Sequence, residues 1–247
     1  MKPLLPNLGQ LPTPLWQNTV RHGVALMAFA LALLQCIGPS CALAGHEKKM
    51  IAATERNPVA RDRWRHAVEN LDCSRFIFVD ETSASIDLTR LYARAPRGER
   101  AFGSVPFKHG TPTTFISSLS MEGLGASLTI QGTVNGDVFT IYVRDYLCPT
   151  LRRGQIVFVD NFQAHKGEAV RQYIEEAGCT LEFLPTYSPD FSPVELAIGK
   201  IKAFLRSVGA RTQEDLDAAI TEAMNTITSD DAAGWFEHCG YHSSAQC

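Results

Sequence analysis

Two runs along the chain share the same form of hydrophobic pattern. RFIFVDE (75–81) and IVFVDN (156–161) each contain four apolar, strand-forming residues followed directly by an aspartate. Continuous apolar runs of this length are typical of strands that are covered on both faces of a sheet. We therefore predict two central, parallel strands, which end at Asp80 and Asp160.

Four further segments show strand patterns. IDLTRLYAR (86–94) alternates between apolar and polar residues, which predicts a strand at an exposed edge. TTFISSLS (113–120) and ASLTI (126–130) are separated by a glycine-rich turn, and TLEFLP (180–185) is the last candidate.

Helical spacing of apolar residues appears between and after these strands. The predicted helices begin at the capping residues Asp137, Ser192 and Thr212, and another covers 167–177. The helix over 192–208 has the strongest signals, because Pro193 occupies its first turn and an apolar stripe follows. The alternation of strands and helices predicts a mixed α/β domain.

The first 45 residues differ from the rest. VALMAFALALLQCIG (24–38) is an apolar run shorter than a typical membrane span, and CALAG after it resembles a signal-peptidase site. The run fits either a signal-peptide-like leader or a misplaced, frame-shifted start. The charged, alanine-rich segment 46–70 predicts a helix that links this region to the domain.

The composition of the chain argues against a stand-alone DNA-binding module. The chain has 45% hydrophobic residues and a net charge of −3, which is typical of a globular protein but lacks the basic excess of a stand-alone DNA-binding module. Nucleic-acid contacts would have to come from local clusters such as ARAPRGER (93–100). The seven scattered cysteines include no C-x-x-C pair, so we expect free thiols and a reducing compartment.

Three acids stand where chemistry is possible. Asp80 and Asp160 would emerge at one carboxyl edge of the sheet, where open α/β sheets place their ligand sites, and Glu195 lies in the first turn of the helix from 193. Three converging carboxylates suit Mg²⁺ or Mn²⁺. Alternatives stay open: each aspartate could form a turn, Glu195 could form a capping box with Ser192, and His165 could be an ordinary hydrogen-bonded histidine.

The motifs together resemble a known family. FVDET, VDNFQAHK and LEFLPTYSPDFSPVELAIGKIK, in this order, are similar to the catalytic core of bacterial insertion-sequence transposases related to mariner elements. These transposases belong to the DDE superfamily and have a ribonuclease H-like fold, a mixed sheet with flanking helices. The spacing of 34 residues between Asp160 and Glu195 matches the family, and the resemblance covers roughly residues 46 to 243.

The resemblance implies a site and a reaction. Asp80, Asp160 and Glu195 would be the catalytic, metal-binding triad of a catalytic domain over 71–243, holding two Mg²⁺ or Mn²⁺ ions. Water would cleave a DNA phosphodiester at the element end, and the freed 3′-hydroxyl would then attack target DNA. Lys202 and Arg206 would contact DNA phosphates. The implied protein is a homodimer on DNA, associated with the nucleoid in the cytoplasm and not with a membrane.

The resemblance also raises alternatives at the front of the chain. The family carries helix-turn-helix modules before its core, whereas the apolar leader stands in that place here, so we interpret residues 1–45 as a truncated or frame-shifted start. One alternative is therefore an inactive remnant that binds only DNA or a partner. The other is a ribonuclease H-like nuclease that hydrolyses nucleic acid without strand transfer.

Overall fold

Five strands form one mixed sheet in the computed structural model, which describes residues 53–242. Their order across the sheet is β3-β2-β1-β4-β5; β1, β2 and β3 pair antiparallel, whereas β1–β4 and β4–β5 pair parallel. The strands are β1 (Phe76–Ala84), β2 (Thr113–Ser120), β3 (Gly123–Gln131), β4 (Ile156–Val159) and β5 (Thr180–Phe183). The predicted central pair, β1 and β4, is therefore adjacent and parallel, as expected. The predicted end of the first strand at Asp80 is wrong, because β1 continues to Ala84 in its pairing with β2.

Helices cover both faces of this sheet. They are α1 (Pro58–Val68), α2 (Gly136–Ile141), α3 (Glu168–Glu176), α4 (Pro193–Val208), α5 (Gln213–Asn225) and α6 (Ser229–His238). A π-helical turn, Tyr142–Leu147, extends α2. The architecture confirms the predicted α/β class.

Helix starts were predicted with mixed success. Thr212 caps α5 as predicted, by accepting a hydrogen bond from the amide of Asp215. The prediction for α2 was wrong by two residues, because the Asn135 side chain, rather than Asp137, accepts from the amide of Val138.

The strand predicted over 86–94 is wrong. Within the described residues this segment belongs to no helix or strand. The strand that precedes it, β1, is already paired on both sides, with β2 and with β4. Ile86 and Leu88 are half-buried against the core near α4 and α5, whereas Leu91 and Tyr92 are 70% and 89% exposed. The apolar residues at the start of the segment pack beside the sheet, and the later ones face solvent where the chain moves away from it.

Alternation along β1 and β4 divides the core between the two faces of the sheet. Phe76, Phe78 and Phe158 point to one face, where α4 and α6 pack on them. Ile77, Val79, Val157 and Val159 point to the other face, against α2, its π-helical extension and α3. Because both faces are covered, β4 and the first four residues of β1 are apolar throughout. The chain becomes polar at Asp80 within β1 and at Asp160 after β4.

The helix predicted in the segment 46–70 is present as α1, over Pro58–Val68, with Asn57 as its cap. Trp64 of α1 stacks on Phe191, with ring centroids 4.8 Å apart, so α1 packs on the domain. The leader predicted over 1–45 lies outside the described residues. Within residues 53–242, no helix is long and apolar enough to cross a membrane.

Candidate active site

The period of the strands decides where the two aspartates point. Phe78 of β1 lies opposite Phe158 of β4, and each aspartate comes two residues after this pair. Asp80 is still within β1, opposite Ser117 of β2, whereas Asp160 directly follows the end of β4. The alternation of β1 places Asp80 on the same side of the sheet as Phe78, the side that α4 covers. The carboxyl edge of the parallel strands therefore carries both acids, as predicted.

Glu195 approaches the same edge from the first turn of α4. A one-turn 3₁₀ helix, Pro189–Phe191, leads into α4, and Pro193 and Val194 anchor its start in the core. The alternative of a capping box is not realised, because the Ser192 side chain makes no capping hydrogen bond. The Glu195 side chain is therefore not used in closing its own helix.

One cavity unites the three acids. Asp80, Asp160 and Glu195 all line a depression of about 400 Å³ at the carboxyl edge of the sheet. The remaining wall comes mainly from the loop after β5, including Tyr187, and from Phe162 after β4. The cavity is the place where the predicted triad comes together.

The charges in this cavity are not balanced. Burial, together with the negative charges of Glu195 and Asp160, raises the pKa of Asp80 to about 8, although the amide of Glu81 donates a hydrogen bond to the Asp80 carboxylate. A carboxyl group whose pKa is raised towards 7 or above by burial and by neighbouring carboxylates is a common feature of functional sites. A cation in the cavity would relieve this repulsion.

A buried histidine links Asp160, whose side chain is 53% exposed, to a second acid. His165 is 1% exposed; its Nδ1 lies 2.5 Å from Oδ1 of Asp160 and its Nε2 lies 2.8 Å from Oε2 of Glu81. Burial disfavours the charged imidazolium, but the two carboxylates outweigh burial and raise the pKa of His165 to about 9. Although burial opposes it, the contact with His165 lowers the pKa of Asp160.

The donor set fits hard divalent cations in chemistry and charge. All three side chains offer carboxylate oxygens, the ligands that Mg²⁺ and Mn²⁺ prefer. Within residues 53–242, no three His, Cys, Asp or Glu side chains converge tightly enough to form a closed ligand set around one ion. The observation that supports a cation here is the shared cavity of the three carboxylates. The raised pKa of Asp80, caused first by burial and then by the charges of Glu195 and Asp160, is consistent with it.

The two predicted phosphate-binding residues lie further along α4. Lys202 and Arg206 are both half-buried, and Arg206 lines a surface groove together with Arg90 and Arg100. Among the salt bridges of the described residues, none involves Lys202 or Arg206, in contrast to Lys200, whose Nζ lies 2.6 Å from Asp231. The basic groove is therefore separate from the acid-lined cavity.

Sequence reasoning missed several residues around the site. Glu81 was overlooked, and His165 was left as an ordinary histidine, although FVDET and VDNFQAHK each contain the relevant residue. Two exposed aromatic side chains on the cavity wall, Phe162 and Tyr187, were also missed; they are 54% and 53% exposed. Tyr187 has a φ of 55°; all other described residues with a positive φ are glycines.

A second missed contact holds the loop before α4. Arg61 of α1 donates two hydrogen bonds to Asp190, with Nη1–Oδ1 and Nη2–Oδ2 distances of 3.0 and 2.6 Å, and its guanidinium lies 3.9 Å from the ring centre of Phe191. The hydroxyl of Tyr241 donates to the backbone carbonyl of Phe191 at 2.6 Å. The residues that precede Glu195 are thus fixed from two sides.

Comparison with known proteins identifies a family for this arrangement. The sequence profile described as DDE superfamily endonuclease matches residues 75–217, which include all three acids. None of the curated proteins matches this chain.

Solved structures show the same fold. A Mos1 strand transfer complex is 16% identical, with a TM-score of 0.60 over 94% of this chain and 78% of that chain. A mariner Mos1 paired-end complex with Mg has 17% identity and a TM-score of 0.59, over 94% of this chain and 79% of its own. The catalytic domain of Mos1 mariner transposase has 14% identity and a TM-score of 0.53, over 77% and 92%. The predicted ribonuclease H-like fold is confirmed.

Proposed function

This chain belongs to the DDE superfamily endonucleases, and from that premise we propose that it is the catalytic part of a DNA transposase. It cleaves phosphodiesters at the ends of a mobile element and joins the freed 3′-hydroxyl to target DNA. We further propose that this mobile element is a bacterial insertion sequence.

The observation that carries the proposal is the shared cavity of Asp80, Asp160 and Glu195. The three acids come from β1, from the end of β4 and from α4, so that only the folded chain brings them together. A turn or capping role would account for each acid alone, but neither accounts for all three on one cavity wall.

The three carboxylates would hold two divalent cations, Mg²⁺ or Mn²⁺. Such ions activate an attacking hydroxyl and stabilise the leaving oxygen of an in-line phosphoryl displacement. Asp80 and Asp160, fixed at the sheet edge, provide the rigid part of the ligand set. Glu195 completes it from the helix, and the loop after β5 restricts the approach of water and DNA.

Features around the cavity suit a DNA substrate. The side chains of Phe162 and Tyr187 line the cavity and are about half exposed, and exposed aromatic rings stack on unpaired bases. Lys202 and Arg206 on α4 would contact backbone phosphates of the DNA strand where it extends beyond the site. A DNA substrate assigns the protein to the nucleoid in the cytoplasm.

A dimer is the proposed assembly on DNA. The segment between β1 and β2 exposes Leu91, Tyr92, Phe102 and Phe107, each at least 70% exposed. Several large apolar side chains exposed on one segment favour an interaction site there. Because recombination acts on two element ends, a second copy of this chain is the partner we propose for that segment.

A plasmid assay tests the reaction. The purified chain is incubated with supercoiled DNA, a labelled duplex with a free 3′-hydroxyl, and Mg²⁺ or Mn²⁺. We expect nicked plasmid and label covalently joined to it, both dependent on the metal. Nicking without joined label would instead indicate a nuclease without strand transfer, and DNA binding without either product would indicate an inactive remnant.

Two variants make the assay specific for the site. Asp160→Asn should abolish nicking and joining while the protein stays folded. Glu182→Gln is the matched control, since Glu182 is an exposed acid on β5 outside the cavity. If the Asn variant nicks DNA as fast as the wild type, the proposed site is wrong.

A further inference from the structure

The buried histidine behind the cavity has a specific arrangement. His165 ends the one-turn 3₁₀ helix Gln163–His165 and lies between the carboxylate of Glu81 on β1 and that of Asp160, which follows β4. Asp80 and Glu81 are consecutive, so the alternation of β1 turns Asp80 towards α4 and Glu81 towards α2. The FVDE motif thus supplies one acid to the cavity and one to His165.

The contacts of Asp160 differ between its two oxygens. Oδ1 lies 2.5 Å from Nδ1 of His165 and accepts a hydrogen bond from the amide of Phe162 at 3.1 Å. The ring N–H points off the line to Oδ1, so the His165 contact is an ion pair rather than a well-aligned hydrogen bond. With Oδ1 occupied on the protein side, Oδ2 is the oxygen left for the cavity.

His165 is itself held in place. Its Nε2 lies 2.8 Å from Oε2 of Glu81, and its ring packs against the buried ring of Phe139 with centroids 4.1 Å apart. Phe162 contacts the same ring edge-on at 5.7 Å. The imidazole therefore has one orientation, set by an acid at one end and by aromatic packing on its faces.

We propose that His165 is a positioning residue, which fixes the Asp160 carboxylate so that Oδ2 faces the cavity, and that Glu81 orients His165 for this role. The inference rests on the proposed function, because it assigns Asp160 as a cation ligand. Groups that orient ligating side chains typically change metal affinity by about 10–100-fold when mutated.

A purely structural role makes a different prediction. A histidine that serves only to fill the core or to neutralise charge would be replaced equally well, or equally badly, by any neutral amide. A positioning residue depends on which of its two ring nitrogens is mimicked, because only Nδ1 contacts Asp160.

Two amide variants separate these roles. The side-chain nitrogen of asparagine can take the position of Nδ1, and that of glutamine the position of Nε2. His165→Asn therefore keeps a donor towards Asp160 and loses the one towards Glu81, whereas His165→Gln does the reverse. Both remove the imidazolium charge and the ring packing, and they differ from each other by one methylene group and by the position of the amide nitrogen.

Calorimetric titration with Mn²⁺ alone is the first measurement. We expect His165→Asn to bind Mn²⁺ within about threefold of the wild-type affinity and His165→Gln to lose tenfold or more. Equal affinities of the two variants would overturn the inference while leaving the proposed function intact. A wild-type protein that binds no Mn²⁺ in the cavity would overturn the proposed function and, with it, the inference.

Crystal structures of the two metal-free variants provide a readout that needs no metal. The Asp160 carboxylate should keep its orientation in His165→Asn and rotate in His165→Gln. Unchanged orientation in both variants would contradict the positioning role even if the metal affinities differ.

Discussion

The ion pair between α1 and the loop before α4 gives a quantitative prediction. The Arg61 side chain is 8% exposed and pairs with Asp190, which is 48% exposed. Replacing Arg61 by alanine removes two hydrogen bonds to a carboxylate and a guanidinium contact with Phe191. Because α1 docks on the domain through this contact and Trp64, we expect the substitution to lower the free energy of unfolding.

The magnitude follows from the exposure of each partner. A hydrogen bond to a charged group contributes about 1.5–3 kcal/mol, but an exposed ion pair contributes only about 0–1 kcal/mol because solvent screens it. The half-exposed Asp190 lies between these limits, and Arg56, whose Nη2 is 3.0 Å from the same carboxylate, retains part of the attraction. Adding a cation–π contribution of about 0.5–1 kcal/mol gives a loss of about 2 kcal/mol.

Urea unfolding followed by tryptophan fluorescence measures this loss, because Trp64 stacks on Phe191 beside the ion pair. Arg63→Ala is the matched control, since Arg63 is an exposed arginine on the same helix and its replacement has the same effect on helix propensity. A difference between the two variants below about 0.5 kcal/mol would refute the idea that Arg61 fastens α1 to the domain.

Three further predictions concern acid stability, DNA binding and assembly. Hydrogen bonds from Lys200 and Thr228 lower the pKa of Asp231 to about 2. The stabilisation that the charged Asp231 gives the fold is therefore complete above the ordinary carboxyl pKa of about 4 and is lost as the pH falls through 2. Asp231→Asn should remove this dependence and flatten the acid-unfolding curve measured by circular dichroism. Lys202→Ala and Arg206→Ala should each reduce the slope of log affinity against log salt by about 1 in fluorescence-anisotropy titrations, without changing sequence preference. Phe107→Ser, at a side chain that is 97% exposed, should shift the DNA-bound protein from dimer to monomer in sedimentation velocity, while Lys108→Ser should not; unchanged sedimentation of the Phe107 variant would exclude this segment as the dimer contact.

The local pattern of apolar and polar residues was sufficient to predict the two parallel strands and the start of α4. The apolar runs before Asp80 and Asp160 predicted β1 and β4, because a strand covered on both faces needs apolar residues throughout. The start of α4 was equally clear, since Ser192 and Pro193 precede an apolar stripe. Their relative placement follows from the rule that ligand sites lie at the carboxyl ends of parallel strands.

Contacts between distant segments were the part that local patterns could not give. Glu81 and His165 are 84 positions apart, and Arg61 and Asp190 are 129 apart. Neither pair has a sequence signal, because each depends on how separate elements pack. The strand prediction over 86–94 was wrong for a related reason. Alternation shows only which side chains are apolar, whereas strand pairing depends on whether the edge of a neighbouring strand is free.

One missed element did have a local signal. Helix α6 begins with a capping box in which the Thr228 hydroxyl accepts from the amide of Asp231 and the Asp231 carboxylate accepts from the amide of Thr228. A threonine followed three residues later by an acid is the sequence signature of this motif. The same signature at Ser192 and Glu195 forms no capping box, because there the acid lines the cavity.

The most direct test of the central claim is anomalous X-ray diffraction at the manganese edge, from crystals of this chain grown with Mn²⁺. The account predicts anomalous peaks inside the cavity, within about 2.0–2.3 Å of carboxylate oxygens of Asp80 and Asp160, with Glu195 contacting at least one of the ions. Saturating Mn²⁺ that produces peaks only elsewhere on the protein, or none at all, would contradict the assignment of these three acids as a metal-binding triad.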